Sequence, residues 1–142
     1  MRSLTNPLPA RTAAVVAAVG FLAIAAFQAA LALGAPLGRA AWGGTRTELP
    51  TGLRVASAIA VVVWIFAATI VLGRAGFEVF RLPGAIVRWG TWILVGLSLL
   101  GALMNFASSS PWERFLWAPL ALILAGLCLV VARSGGDLSR KM

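Results

Sequence analysis

The sequence predicts an all-α protein, an antiparallel four-helix transmembrane bundle, and three observations carry that prediction. Four apolar runs, at about 12–34, 52–73, 85–107 and 111–132, take up most of the chain. Each reaches the roughly 20 residues that a helix needs to cross a hydrocarbon core about 30 Å thick. Every Lys and Arg falls between these runs or at their edges, whereas a soluble bundle would place polar residues along the outer face of each helix. Hydrophobic residues make up 61% and charged residues 11%, against roughly 45–50% and about 25% in soluble domains. With such short connections, residues 1–142 form one membrane domain.

The first run follows Arg2 and Arg11 and ends in small residues. Its apolar length exceeds the roughly 7–15 residues of a signal-peptide core, so a retained first span is expected. Its strongest polar residue, Gln28, lies past the centre of the span. The first three spans are introduced by Leu8-Pro9, Leu49-Pro50 and Leu82-Pro83, and proline suits a first helical turn because its missing N–H is not needed there. The fourth begins Ser110-Pro111-Trp112-Glu113. Ser110 is expected to cap it, with Glu113 reaching back to complete a capping box. Pro119 should then distort the helix near Phe115–Pro119. Small residues such as Ala14, Ala18, Gly20, Ala25, Ala29, Gly96, Gly101 and Gly126 should allow close helix approach.

With four spans, both termini share a side with the central loop. That side carries Arg2, Arg11, Arg74, Arg81, Arg88, Arg133, Arg140 and Lys141; the other carries Arg39, Arg46, Arg54 and Arg114. The bias predicts cytoplasmic termini. The formal charge of +8 is spread over membrane boundaries, which points to membrane lipids as partners and away from nucleic acid. The central loop, with Phe77, Val79, Phe80 and Leu82 among Arg74, Glu78 and Arg81, suits the headgroup layer. Trp89 and Trp92 would form an inner aromatic belt and Trp42, Trp112 and Trp117 an outer one. Trp64 and Cys128 are expected to pack inside the bundle.

The chain has no His, and Glu48, Glu78, Glu113 and Asp137 all lie outside the apolar cores. Proton-coupled transport and intramembrane acid–base catalysis use titratable groups within the membrane. Metal sites use clustered His, Cys or carboxylates. No metal, cofactor or catalytic residue is therefore expected.

The remaining chemistry gathers at the outer face. Gln28, Arg39, Trp42, Arg46, Glu48, Arg54, Asn105, Ser108, Glu113 and Arg114 could share one mouth, with the arginines receiving an anionic headgroup in two-pronged fashion. Each also has a plainer reading. Gln28 and Asn105 could bond to each other or to backbone, and Asn105 could end the third helix in left-handed geometry. Ser108–Ser110 could be a turn and cap, Trp42-Gly43-Gly44 an interfacial turn, and Glu113-Arg114 a surface pair.

Several stretches carry a resemblance: Ala32–Gly38, Ala41-Trp42-Gly43-Gly44, Leu49-Pro50, Leu53–Ser57, and above all Met104–Arg114. They resemble a family of small uncharacterised four-span bacterial integral membrane proteins, and the Ala- and Arg-rich composition resembles that of actinobacteria. The resemblance implies the same topology and attention to the outer loops, and supplies no catalytic residue.

The leading expectation is a non-enzymatic membrane protein that binds a lipid or small amphipathic ligand at its outer face, or an accessory membrane subunit. The alternatives are a small oligomeric transporter or channel and an intramembrane lipid-modifying enzyme. Four spans rarely enclose a pathway alone, so transport would require a homo-oligomer or a larger complex.

Overall fold

The computed structural model describes residues 7–138, with side chains over 8–135. Arg2, Arg140 and Lys141 lie outside the described residues, as does the side chain of Asp137. Helix α1 is Pro7–Ala32, α2 Thr51–Arg74 and α3 Gly84–Ala107. The fourth helix starts at Pro111, passes through a π-helical stretch, Glu113–Trp117, and continues as α4, Ala118–Leu138. Four helices are long and apolar enough to cross a membrane, and the chain is a multi-pass, all-helical bundle.

The helix ends follow from local chemistry. In α1, Gly34 (φ 96°) takes the left-handed position of a Schellman ending: Ala35 N–H bonds Ala30 O at 2.9 Å and Gly34 N–H bonds Leu31 O at 3.0 Å. Helix α2 ends the same way at Gly76 (φ 84°), with Phe77 N–H on Leu72 O at 3.0 Å and Gly76 N–H on Gly73 O at 3.1 Å. Glycine fits because left-handed geometry costs it nothing. Pro50 and Pro83 stand at the N-cap positions of α2 and α3, one residue before the first turn, and Pro9 lies within the first turn of α1. The Pro119 distortion is present as the π-helical turn, in which Ala118 N–H bonds Glu113 O. Proline's ring crowds the carbonyl four residues back, here Phe115, and a widened turn relieves that crowding.

The half of the bundle on the side of the α2–α3 connection, its inner half, is tightly packed. Ala14, Ala17, Phe21, Val71, Cys128 and Val131 are fully buried, and Trp64 stacks on Phe21 with ring centres 5.6 Å apart. Gly20 admits Leu124, which would lie 2.7 Å from an added Cβ, and Gly90 admits Ile70 at 3.0 Å. Gly96, Gly101 and Gly126 have nothing within 4 Å of an added Cβ, so the expected close approach fails at these three. At the inner end Arg11 covers the Phe77 ring at 4.1 Å, and Arg74 donates to Ala132 O at 3.0 Å. In the central loop Phe77 and Leu82 turn onto the core, while Val79 and Phe80 remain exposed.

Helices α2 and α3 touch near this inner end, at Gly90 against Ile70 and Gly73 against Val87. Toward the opposite end, Leu53 and Trp64 of α2 and Leu97 and Met104 of α3 line the site.

Candidate functional site: an outer cavity roofed by the Trp42–Gly44 turn

The roof comes from the α1–α2 connection. Gly38 N–H bonds Thr47 O at 2.9 Å, closing a loop so tight that a Cβ on Gly38 would lie 2.4 Å from Arg46 O. Within it Trp42, Gly43 and Gly44 follow one another with φ of 52°, 84° and 68°. Trp42 is the only non-glycine residue with positive φ among those described, an uncommon state for a bulky side chain. Its indole N–H donates to Ser57 Oγ, 3.1 Å away on α2.

The fourth helix holds this turn in place. Gly43 N–H donates to both carboxylate oxygens of Glu113, at 3.1 and 3.2 Å, and Ser108 Oγ donates to Oε2. Ser110 Oγ donates to Arg39 O at 2.8 Å and accepts the Glu113 N–H at 3.4 Å. Trp117 Nε1 donates to Ala40 O at 2.8 Å. The expected capping box is thus half formed. Ser110 caps, but the Glu113 carboxylate is drawn away to Gly43, and Ser108 Oγ takes its place by accepting the Ser110 N–H at 3.1 Å. Glu113 is buried, has no ion-pair partner among the described residues, and sits in the first turn of its helix, where the dipole favours an anion.

Below this roof lies a cavity of about 630 Å³. Ile24, Phe27 and Gln28 of α1 line it, with Leu53 and Trp64 of α2, the α3 residues Leu97, Ser98, Gly101, Met104 and Asn105, and Trp117, Ala121 and Leu124 of the fourth helix. Ala40–Gly43, Ser108 and Glu113 close its top. Trp64 lies 13 residues into α2, so at 1.5 Å per residue the cavity reaches about 20 Å inward from the outer helix end. Leu97 (38% exposed) and Met104 (66%) both line it, so its α3 wall reaches the surface that would face lipid. Gln28 and Ser98 are among its lining residues, and Gln28 Oε1 and Ser98 Oγ are buried with no hydrogen-bond partner among the described residues.

Five expected site residues meet at this cavity: Gln28, Trp42, Asn105, Ser108 and Glu113. No hydrogen bond joins Gln28 to Asn105. Helix α3 continues past Asn105 to Ala107, and Asn105 does not adopt left-handed geometry. The other five residues do not line the cavity. Arg39 braces the loop through Thr47 Oγ1 at 3.3 Å and Gly44 O at 3.4 Å. Arg54 caps α1 through Ala32 O at 3.1 Å, and Arg114 bonds Ser108 O at 2.9 Å. Arg46 and Glu48 are exposed. The arginines thus stand off the cavity wall, with Arg39, Arg54 and Arg114 engaged by carbonyls at helix and loop ends, and among the described residues the charged side chain on that wall is a carboxylate.

Sequence reasoning missed Ser57, Ser98 and Trp117 as site residues. A signal existed for Ser98, since Ser98, Gly101 and Asn105 recur at helical spacing and share one face. Trp117 was expected in the outer aromatic belt; instead it packs on Phe27, with ring centres 4.7 Å apart, and turns inward.

No protein-family model, curated protein or solved structure matches this chain.

Proposed function

We propose that the protein is a non-enzymatic integral membrane protein of the bacterial plasma membrane, with cytoplasmic termini, that takes an amphipathic ligand into its outer cavity from the bilayer. One observation carries this reading. The cavity is apolar at depth, where Ile24, Leu97, Ala121 and Leu124 line it, and polar at the roof, where Ser108 and Glu113 do. Ligand pockets commonly combine apolar walls with a few convergent polar groups and span roughly 300–1,000 Å³.

The closed inner half supports binding over conduction. Phe21, Val71, Leu124, Cys128 and Val131 pack there without a passage, so a transport role would need a second chain or a large rearrangement.

Gly101→Phe tests the reading. An added Cβ at Gly101 meets nothing within 4 Å, so the ring should fill the cavity without displacing a helix. Native mass spectrometry from neutral detergent should show co-purified lipid or amphiphile on the wild type and none on the variant. Equal retention by both would sink the proposal.

A further inference from the structure

Head-group chemistry at the mouth is set by what lines it. Among the described residues the one charged group on its wall is the Glu113 carboxylate, buried and without a basic partner. A carboxylate offers about four lone-pair sites, and the donors present, Gly43 N–H and Ser108 Oγ, leave it capacity. The rings of Trp42, Trp117 and Phe27 share the wall with it, and aromatic faces attract cations, quaternary ammonium groups especially. No Lys or Arg lines the cavity.

We propose that the cavity selects amphiphiles with a cationic, ammonium-type head group, seated between the Glu113 carboxylate and the Trp42 and Trp117 rings, with the apolar chain running down toward Trp64 and Leu97. This rests on the ligand-binding reading above and adds the ligand's charge. The protein as a whole argues the other way: a net charge of +8 draws anions to its surface non-specifically. A preference for cations would therefore have to come from the cavity itself.

The test uses the full chain in neutral maltoside micelles and three probes with the same C12 chain: dodecyltrimethylammonium, dodecyl glucoside and laurate. Native mass spectrometry should show one dodecyltrimethylammonium retained per chain, bound about tenfold or more tighter than either other probe. Glu113→Gln should erase that preference while a neutral probe still binds, and Gly101→Phe should remove all three. If the wild type holds the glucoside or laurate as well as the cation, the head-group assignment fails and the cavity reading stands. A cation preference surviving in folded Glu113→Gln overturns the assignment to Glu113. Retention of no probe overturns both readings. Should Glu113→Gln fail to fold, the wild-type ranking of the three probes decides alone.

Discussion

The backbone N–H of Gly43 lies 3.1 and 3.2 Å from the two carboxylate oxygens of Glu113, seventy residues away in the chain. This contact joins the first outer loop to the last span and so ties α1 and α2 to α3 and α4 at the end of the bundle that holds the cavity. Through it the roof of the cavity is held to its wall. Because the same carboxylate faces the cavity, the group that anchors the roof is also the group a ligand would meet.

Loss of that contact should be felt as stability. A hydrogen bond to a charged group contributes about 1.5–3 kcal/mol, so Glu113→Ala should destabilise the protein by about that much. A thermal unfolding series in one detergent measures it. The loop should loosen more than the bundle: protease cleavage near Thr45 should speed up, while the α2–α3 connection around Arg81 should be cut at the wild-type rate. Uniform acceleration at both places would assign Glu113 a global role instead.

Two adjacent glycines should respond differently to alanine. Both have positive φ, 84° at Gly43 and 68° at Gly44, which costs an L-residue roughly 1–2 kcal/mol. At Gly43 an added Cβ meets nothing within 4 Å; at Gly44 it would lie 2.7 Å from Ser110 Cβ and 2.8 Å from Arg39 O. Gly43→Ala should cost about 1 kcal/mol. Gly44→Ala should cost clearly more, because backbone must shift. Equal melting temperatures for the two variants would contradict the packing of the turn on Ser110.

The spans were legible in the sequence because bilayer crossing depends on length and apolarity alone, and the observed helix ends fall close to those expected. Ser110 as a cap and Pro119 as a distortion were legible for the same kind of reason: each acts within one helical turn. The destination of the Glu113 carboxylate was not, because Gly43 competes with the local N–H of Ser110 from seventy residues away, and only the folded loop presents it. The contacts of the arginines were hidden on similar grounds. Their charge is visible in sequence, but the unpaired carbonyls of Ala32, Gly44 and Ser108 that engage them exist only after folding. Trp117 was taken for an anchor because its distance from the span end suits one; the Ala40 carbonyl and the Phe27 ring draw it inward.

Topology is open to direct measurement. The proposed orientation has the Trp42 loop outside and the α2–α3 loop in the cytoplasm. Thr45 and Arg81 are both exposed, and Cys128 is fully buried, so it should not compete for an impermeant thiol reagent. In intact cells Thr45→Cys should be labelled and Arg81→Cys should not, with both labelled after lysis. The reverse pattern would invert the orientation and turn the cavity toward the inner leaflet.

The two partnerless polar atoms give the sharpest separation of stability from function. Gln28 Oε1 and Ser98 Oγ are buried with no hydrogen-bond partner among the described residues, and Ser98 is only 3% exposed. Such a group carries a desolvation penalty of about 1–3 kcal/mol, so removing it should help an empty protein. Gln28→Leu and Ser98→Ala should each raise the melting temperature of ligand-free protein, by about 1 kcal/mol of added stability. Gln28→Leu should also weaken amphiphile retention, because Gln28 is part of the cavity wall, whereas Ser98→Ala, beside Leu97 where the apolar chain runs, should leave retention alone. A rise in melting temperature with unchanged retention in Gln28→Leu would place Gln28 outside the site. A fall in melting temperature would mean that a partner satisfies them in the membrane-embedded protein.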